Sequence, residues 1–246
     1  MMPTASVPVH RVVHALWGLW FAVCFVVIGV LAWMAMFWPI ERHRRRLIHQ
    51  AARLIFAAAG VPIRCVGFER FPTHPCIVIA NHQSYLDGPI LRAVLPPSFN
   101  FVIKSGMRTV PLAGFLLRRI GSEFVDRTDR HRGGVDAKRF FKKAAASPRW
   151  VIFPEGTFDD RVGVLPFLAG AFGAARHAQL PLVSVSIHGS RAMLKSGSLG
   201  IFPQPLTITV VAHYPPPADR AQMLALAEQA RRDIAEALGE PLIDPL

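Results

Sequence analysis

The stretch Cys76-Ile77-Val78-Ile79-Ala80-Asn81-His82-Gln83-Ser84-Tyr85-Leu86-Asp87-Gly88-Pro89-Ile90 decides how this chain is read. Residues 76–80 are apolar without alternation and rich in β-branched side chains, which predicts a short strand. Four polar residues follow, and the pattern from 88 to 94 then predicts a helix. Histidine is the side chain whose ordinary pKa suits proton removal from a hydroxyl near neutral pH. A carboxylate on its second ring nitrogen fixes the tautomer and offsets the positive charge that the ring acquires. Asp87 comes five residues after His82. In a straight helix such a pair diverges by about 140°, at 3.6 residues per turn. The two meet only if His82 lies in the loop and Asp87 in the first turn of the next helix. By itself the pair is equally what a solvated loop histidine and an N-terminal helix aspartate would give.

Outward from this unit, short apolar runs alternate with helix-compatible stretches. Strands are expected at 76–80, 99–103, 123–125, 150–153, 182–187 and 206–212, and helices at 88–94, 112–120, 135–146 and 170–178. Apolar residues at helical spacing predict a last, amphipathic helix over 219–238, with Asp219 as N-cap behind the stiff Pro215-Pro216-Pro217 connector. The expected fold is α/β, a mixed sheet flanked by helices and preceded by an N-terminal membrane-anchoring helix. No internal repeat interrupts it.

Two further blocks fall at strand ends, where ligands bind in open α/β sheets. Phe153-Pro154-Glu155-Gly156-Thr157 ends one strand; Gly156 permits close backbone approach, and Glu155 can accept hydroxyl hydrogen bonds or orient a cation. An ordinary Pro-Glu-Gly turn has the same composition. Gly121-Ser122-Glu123-Phe124-Val125-Asp126-Arg127 ends another, with Lys104 upstream. Arg127 offers a planar fork for a phosphate and Lys104 a mobile point charge, although a surface Asp126–Arg127 pair would read alike.

The order NHxxxxD, GxxFVDR, FPEGT and a Leu-Pro-Leu-Val strand resembles the glycerophospholipid acyltransferases, specifically the 1-acylglycerol-3-phosphate acyltransferases and their relatives, over about 77–190. The resemblance implies a catalytic pair of His82 and Asp87. His82 would deprotonate the acceptor hydroxyl for attack on the thioester of acyl-CoA or acyl-carrier protein, while Asp87 orients the ring. It also implies that Lys104 and Arg127 hold the acceptor's phosphate, that Glu155, Gly156 and Thr157 shape the acceptor site, and that Asn81, counted with these substrate-binding residues, either fixes the loop or takes a direct part in catalysis. It implies no metal and no cofactor beyond the acyl thioester co-substrate.

Three departures bear on the acceptor. Phe158-Asp159-Asp160 stands where many relatives continue with Arg-Ser, Leu168 stands where a lysine is usual, and Ser184 replaces a second proline. Fewer cations and more carboxylates make lyso-ornithine lipid or another lysolipid a rival to 1-acylglycerol-3-phosphate.

Between 15 and 38 no residue is charged, a length sufficient to cross ~30 Å of hydrocarbon. Trp17 and Trp20 sit near one end, Trp33 and Trp38 near the other. Pro39 stops the run, and Arg42, Arg44, Arg45 and Arg46 follow, against a lone Arg11 before it. That asymmetry predicts a cell inner membrane location with the catalytic domain on the cytoplasmic side. A cleaved signal peptide fits poorly, because the run ends in Met-Phe-Trp-Pro rather than in a small-residue cleavage site. Residues 1–60 are thus expected to form an anchor, with a second helical stretch at 47–59, and 61–246 the acyltransferase domain. Whether the anchor spans or folds back as a hairpin is open at this level.

The formal net charge of +12 suits anionic partners of several kinds. No nucleic-acid-binding module occurs, and the anchor accounts better for the basic cluster. Three cysteines, Cys24, Cys65 and Cys76, show no metal-ligand spacing. A serine hydrolase would need a GxSxG elbow and a P-loop enzyme GxxxxGK[ST]; neither is present. A non-catalytic lipid-binding protein on the same fold is the alternative from another class.

Overall fold

The computed structural model describes residues 9–126, 130–147, 149–198 and 200–245. Seven strands form one sheet: β1 (Ile63–Val66), β2 (Cys76–Ala80), β3 (Asn100–Lys104), β4 (Glu123–Val125), β5 (Arg149–Ile152), β6 (Leu182–His188) and β7 (Leu206–Tyr214). Their order is β1-β7-β6-β2-β5-β3-β4. Strands β6, β2, β5, β3 and β4 pair in parallel; β7 runs antiparallel to β6, and β1 parallel to β7. The helices are α1 (Val9–Met34), α2 (Glu41–Ala58), α3 (Asp87–Val94), α4 (Ala113–Arg119), α5 (Arg130–Ala146), α6 (Gly170–Ala178), the single turn α7 (Ser190–Met193) and α8 (Arg220–Leu238).

The unbroken apolar run of β2 follows from its place in the middle of the sheet. Cys76, Val78 and Ala80 pack under α1, α2 and α3 with Phe21, Phe56, Ile90 and Leu91. Ile77 and Ile79 pack on the other face with Phe140 of α5, Phe172 of α6 and Ala230 of α8. A strand covered on both faces has no polar face to alternate with.

Strand β1 was not anticipated. Ile63-Arg64-Cys65-Val66 lies at the sheet edge and is mostly exposed, so it carries neither alternation nor a buried run. Ser184, where a proline is usual, plugs an irregularity of the β6–β7 ladder: its Oγ accepts from Ala212 N at 3.1 Å and lies 3.2 Å from the Tyr214 hydroxyl. That departure therefore concerns sheet pairing.

Helix α1 is long and apolar enough to cross a membrane over Val12–Phe37. It is also tied to the rest of the chain. The indoles of Trp17 and Trp20 donate to the last carbonyls of α2, at Ala59 and Ala58, each at 3.0 Å. Those carbonyls have no partner within their own helix. Phe21 is fully buried, and Trp33 and Phe37 pack on Phe115 of α4. The opposite stripe, with Leu16, Leu19, Val26 and Leu31, is exposed. Helix α2 starts six residues before the expected 47, because Arg44 is a buried strut: it donates to Trp38 O, Pro39 O and Arg119 O at 2.8–2.9 Å. Arg42 and Arg46 remain exposed.

Candidate active site

The loops that follow β2, β5 and β6 converge at the C-terminal edge of the parallel strands. The chain turns from β2 into α3 so that Asp87 opens the helix, as the five-residue spacing requires. Asp87 is wholly buried, and its Oδ2 accepts three hydrogen bonds: from Gln83 N at 2.7 Å, Ser84 N at 2.8 Å and His82 Nδ1 at 2.9 Å. An ionised aspartate there holds the proton on Nδ1 and leaves Nε2 with its lone pair. The imidazole lies between two phenylalanine rings, stacked on Phe153 at 4.3 Å between centroids and tilted against Phe158 at 4.4 Å. Tyr85 meets Phe158 edge-on. The histidine is thus fixed in tautomer and in orientation while its side chain stays partly open to the exterior.

Asn81 does not face a ligand. It is fully buried, donates to Ile187 O at 3.0 Å and accepts from Ile187 N at 2.7 Å, tying the start of the loop to β6.

Glu155 fastens the FPEGT turn to the His82 loop. Its Oε1 accepts from His82 N at 2.6 Å, and its Oε2 from Leu165 N at 2.8 Å. Burial pushes its carboxyl up to about 8, against the pull of the two backbone donors and with a smaller push from the charge on Asp87. Gly156, at φ +75°, makes the turn that brings Thr157 to the surface.

A raised Glu155 pKa has a definite consequence for stability. The fold keeps the proton up to about 8 whereas the unfolded chain loses it near 4.5. The stabilising contribution is therefore complete below about 4.5 and is lost as pH rises through about 8. The denaturation midpoint of the wild type should fall across that window, while Glu155→Gln should show a flatter profile. Parallel profiles for the two proteins would refute the assignment.

Lys104 ends β3, exposed. Strand β3 runs parallel to β5 and β5 to β2, so Lys104 lies at the sheet edge that carries the His82 loop. Arg127 lies outside the described residues; β4, which precedes it, ends at the same edge of the sheet. Asp159, one of the carboxylates expected to repel an anionic acceptor, is paired with Arg161, which holds its carboxyl below the usual range. Leu168 is half exposed.

Sequence reasoning missed several parts of this site. Phe153 and Phe158 were in view but unassigned, because a ring's contact with His82 depends on how two loops meet. Gln83, Arg191 and Glu240 form a polar cluster beside the loop, joined by Gly163 N. No local signal marks Glu240, 157 residues beyond Gln83.

Comparison with known proteins places this arrangement. The chloroplastic 1-acyl-sn-glycerol-3-phosphate acyltransferase BAT2 of Brassica napus is 32% identical over 206 residues, covering 80% of this chain and 58% of that protein. The 1-acyl-sn-glycerol-3-phosphate acyltransferase of Saccharomyces cerevisiae is 32% identical over 58% of this chain and 48% of its own length. A lyso-ornithine lipid O-acyltransferase of Brucella abortus is 32% identical over 55% of this chain and 49% of its own. The chain spans about half the length of these curated relatives. The crystal structure of the 1-acyl-sn-glycerophosphate acyltransferase PlsC from Thermotoga maritima superposes with a TM-score of 0.74, covering 92% of this chain and 97% of that one at 21% identity, which establishes a shared fold. Residues 62–188 match the family model described as Acyltransferase, and the chain belongs to that family.

Proposed function

We propose that this protein transfers a fatty acyl group from an acyl thioester to the free hydroxyl of a lysophospholipid-type acceptor, with 1-acylglycerol-3-phosphate as the acceptor and phosphatidate as the product. The observation that carries this reading is the His82 Nδ1–Asp87 Oδ2 contact at 2.9 Å, which leaves Nε2 free to act as a base. His82 Nε2 takes the proton of the acceptor hydroxyl as its oxygen attacks the thioester carbonyl. The carbon–sulfur bond then breaks, and the imidazolium returns the proton to the departing thiolate. Asp87 stabilises the imidazolium while it exists. The thioester brings its own activation, so the protein's task is orientation, proton transfer and the exclusion of water.

Names of the similar proteins support the acceptor, and so does Lys104 at the sheet edge. The salt bridge of Asp159 with Arg161 removes part of the repulsion that favoured a less anionic lipid. If Lys104 meets the acceptor's phosphate, Lys104→Ala should raise the KM for lysophosphatidate about tenfold, the loss of one charge-assisted contact, with kcat nearly unchanged. An unaltered KM would remove Lys104 from the acceptor site.

Helix α1 supports a membrane location for this reaction. One side is fastened to α2 and α4, and the other offers an apolar stripe. A helix held in this way lies along the domain and enters the bilayer sideways, with Arg42 and Arg46 available to anionic headgroups on the cytoplasmic side of the inner membrane.

The test is thiol release by the detergent-purified protein, with acyl-CoA and acyl-carrier-protein thioesters as donors and with lysophosphatidate and lyso-ornithine lipid as acceptors in parallel. Release that depends on lysophosphatidate supports the reading. Release only with lyso-ornithine lipid replaces the acceptor, and none with either returns the non-catalytic lipid-binding alternative.

A further inference from the structure

We propose that Glu240 is a positioning residue for the His82 loop, one carboxylate that joins the three loops on which the site is built. Helix α8 ends at Gly239, whose left-handed conformation (φ +65°) turns the chain back toward the sheet edge. Residues beyond it run beside the loop that follows the FPEGT turn. Val164 N donates to Pro241 O at 2.9 Å, and Ile243 N donates to Val164 O at 3.1 Å. Arg231 of α8 closes the same contact, donating to Val164 O at 3.0 Å and to Ile243 O at 2.7 Å.

Glu240 is thereby delivered to the back of the catalytic loop. Its Oε2 accepts from Gln83 Nε2 at 2.9 Å, from Gly163 N at 3.1 Å and from Arg191 Nη2 at 3.0 Å. Its Oε1 accepts from Arg191 Nη1 at 2.8 Å. Gln83 belongs to the loop after β2, Gly163 to the loop after β5, and Arg191 to α7 after β6. The first carries His82 itself, the second carries Phe153 and Phe158, which flank its ring, and the third ends at Leu194, whose carbonyl accepts from Ser84 Oγ at 2.9 Å. Gln83 follows His82 directly, and its own N–H is one of the three donors to Asp87.

The energetics make Glu240 more than a surface pair. Its side chain and that of Arg191 are 14% and 13% exposed, so both charges are largely out of water. Breaking a buried pair on one side leaves the other charge uncompensated and costs far more than removing both. An uncompensated Arg191 would also act on the Asp159 carboxylate and favour ionisation of Glu155, both of which feel its charge. Glu155 holds the backbone of His82. The C-terminal segment therefore sets both the geometry of the catalytic loop and the charge balance beside it.

The inference rests on the reading of His82 as a base, and the test separates the two. Three variants are compared with wild type for kcat, lysophosphatidate KM and amide hydrogen exchange of residues 81–87. Glu240→Ala removes both the Gln83 partner and the charge; kcat should fall about tenfold or more with KM little changed, as expected of lost orientation. Glu240→Gln keeps an acceptor for Gln83 but leaves Arg191 unpaired, and should lose a similar factor. Adding Arg191→Gln to Glu240→Gln should recover most of the activity, whereas adding it to Glu240→Ala should not, because Gln83 still lacks its partner. A merely structural pair would show no such asymmetry in rescue. Wild-type kcat in Glu240→Ala, or equal rescue in both backgrounds, overturns the proposal. If wild type itself transfers no acyl group, the reading of the site fails, and exchange still decides the role of Glu240. Faster exchange over 81–87 in Glu240→Ala supports it, and unchanged exchange overturns it.

Discussion

His82→Ala is expected to lower turnover by about three orders of magnitude, the middle of the range for loss of a positioned general base. The fold should survive. The backbone N–H that donates to Glu155 is retained in alanine, and the imidazole side chain is 21% exposed. The space left between Phe153 and Phe158 opens toward the exterior, so the rings can close on it, and the midpoint of denaturation should move by only a few degrees, about 1 kcal/mol of lost contact in a chain of this size. Thiol release with acyl-CoA and lysophosphatidate, together with a thermal melt, measures both. Turnover within tenfold of wild type would sink the proposed base.

The second large effect concerns Asp87, where two substitutions should separate charge from geometry. In many histidine–carboxylate pairs an asparagine is free to present its amide nitrogen to the ring and impose the wrong tautomer. Here that choice is closed. Gln83 N and Ser84 N both donate to Oδ2, the same oxygen that contacts His82 Nδ1, whereas the buried Oδ1 has no hydrogen-bond partner among the described residues. Asp87→Asn should therefore set its amide oxygen in the Oδ2 position and its NH2 in the Oδ1 position, keeping Nε2 as the base. What is lost is the negative charge that stabilises the imidazolium. The expected fall in kcat is about a hundredfold, roughly 2.7 kcal/mol, with the melt shifted modestly because neutral acceptors bond less strongly. Asp87→Ala leaves two buried backbone donors and the imidazole N–H unpartnered, at about 1–3 kcal/mol each. It should lose turnover to the level of His82→Ala and destabilise the protein severely. Equal behaviour of the two variants, in rate and in melting, would show that the backbone donors do not select the amide orientation.

Much of this site was legible in the sequence, for reasons that are local. The pairing of His82 with Asp87 follows from a strand, a six-residue loop and a helix start, and a spacing of five residues admits contact only in that geometry. The strand at 76–80 and the helix at 170–178 were anticipated to the residue, because a run buried on both faces and a helical stretch with a clear end each carry their own signal. Helix α8 was likewise expected, from its apolar spacing and from Asp219, which accepts from Gln222 N at its first turn.

Other features were visible as letters without their meaning. Glu155 stood out as a carboxylate near an acceptor site, yet its oxygens are spent on His82 N and Leu165 N, so it braces the loop. Asn81 likewise serves β6. The arginines after Pro39 were read as one cationic patch, whereas Arg44 is buried against α4 and only Arg42 and Arg46 remain free of the fold.

Interactions between residues a few positions apart account for most strands and helices, for the contact of His82 with Asp87 and for an apolar N-terminal helix, whereas the exposed edge strand β1 carries no such signal. Tertiary structure alone decided three things: that α1 lies along the domain, that the imidazole stands between Phe153 and Phe158, and that Glu240 closes the cluster behind Gln83. These depend on contacts between segments tens to more than a hundred residues apart, whose meeting is fixed by the packing of both faces of the sheet and leaves no period or spacing in the chain.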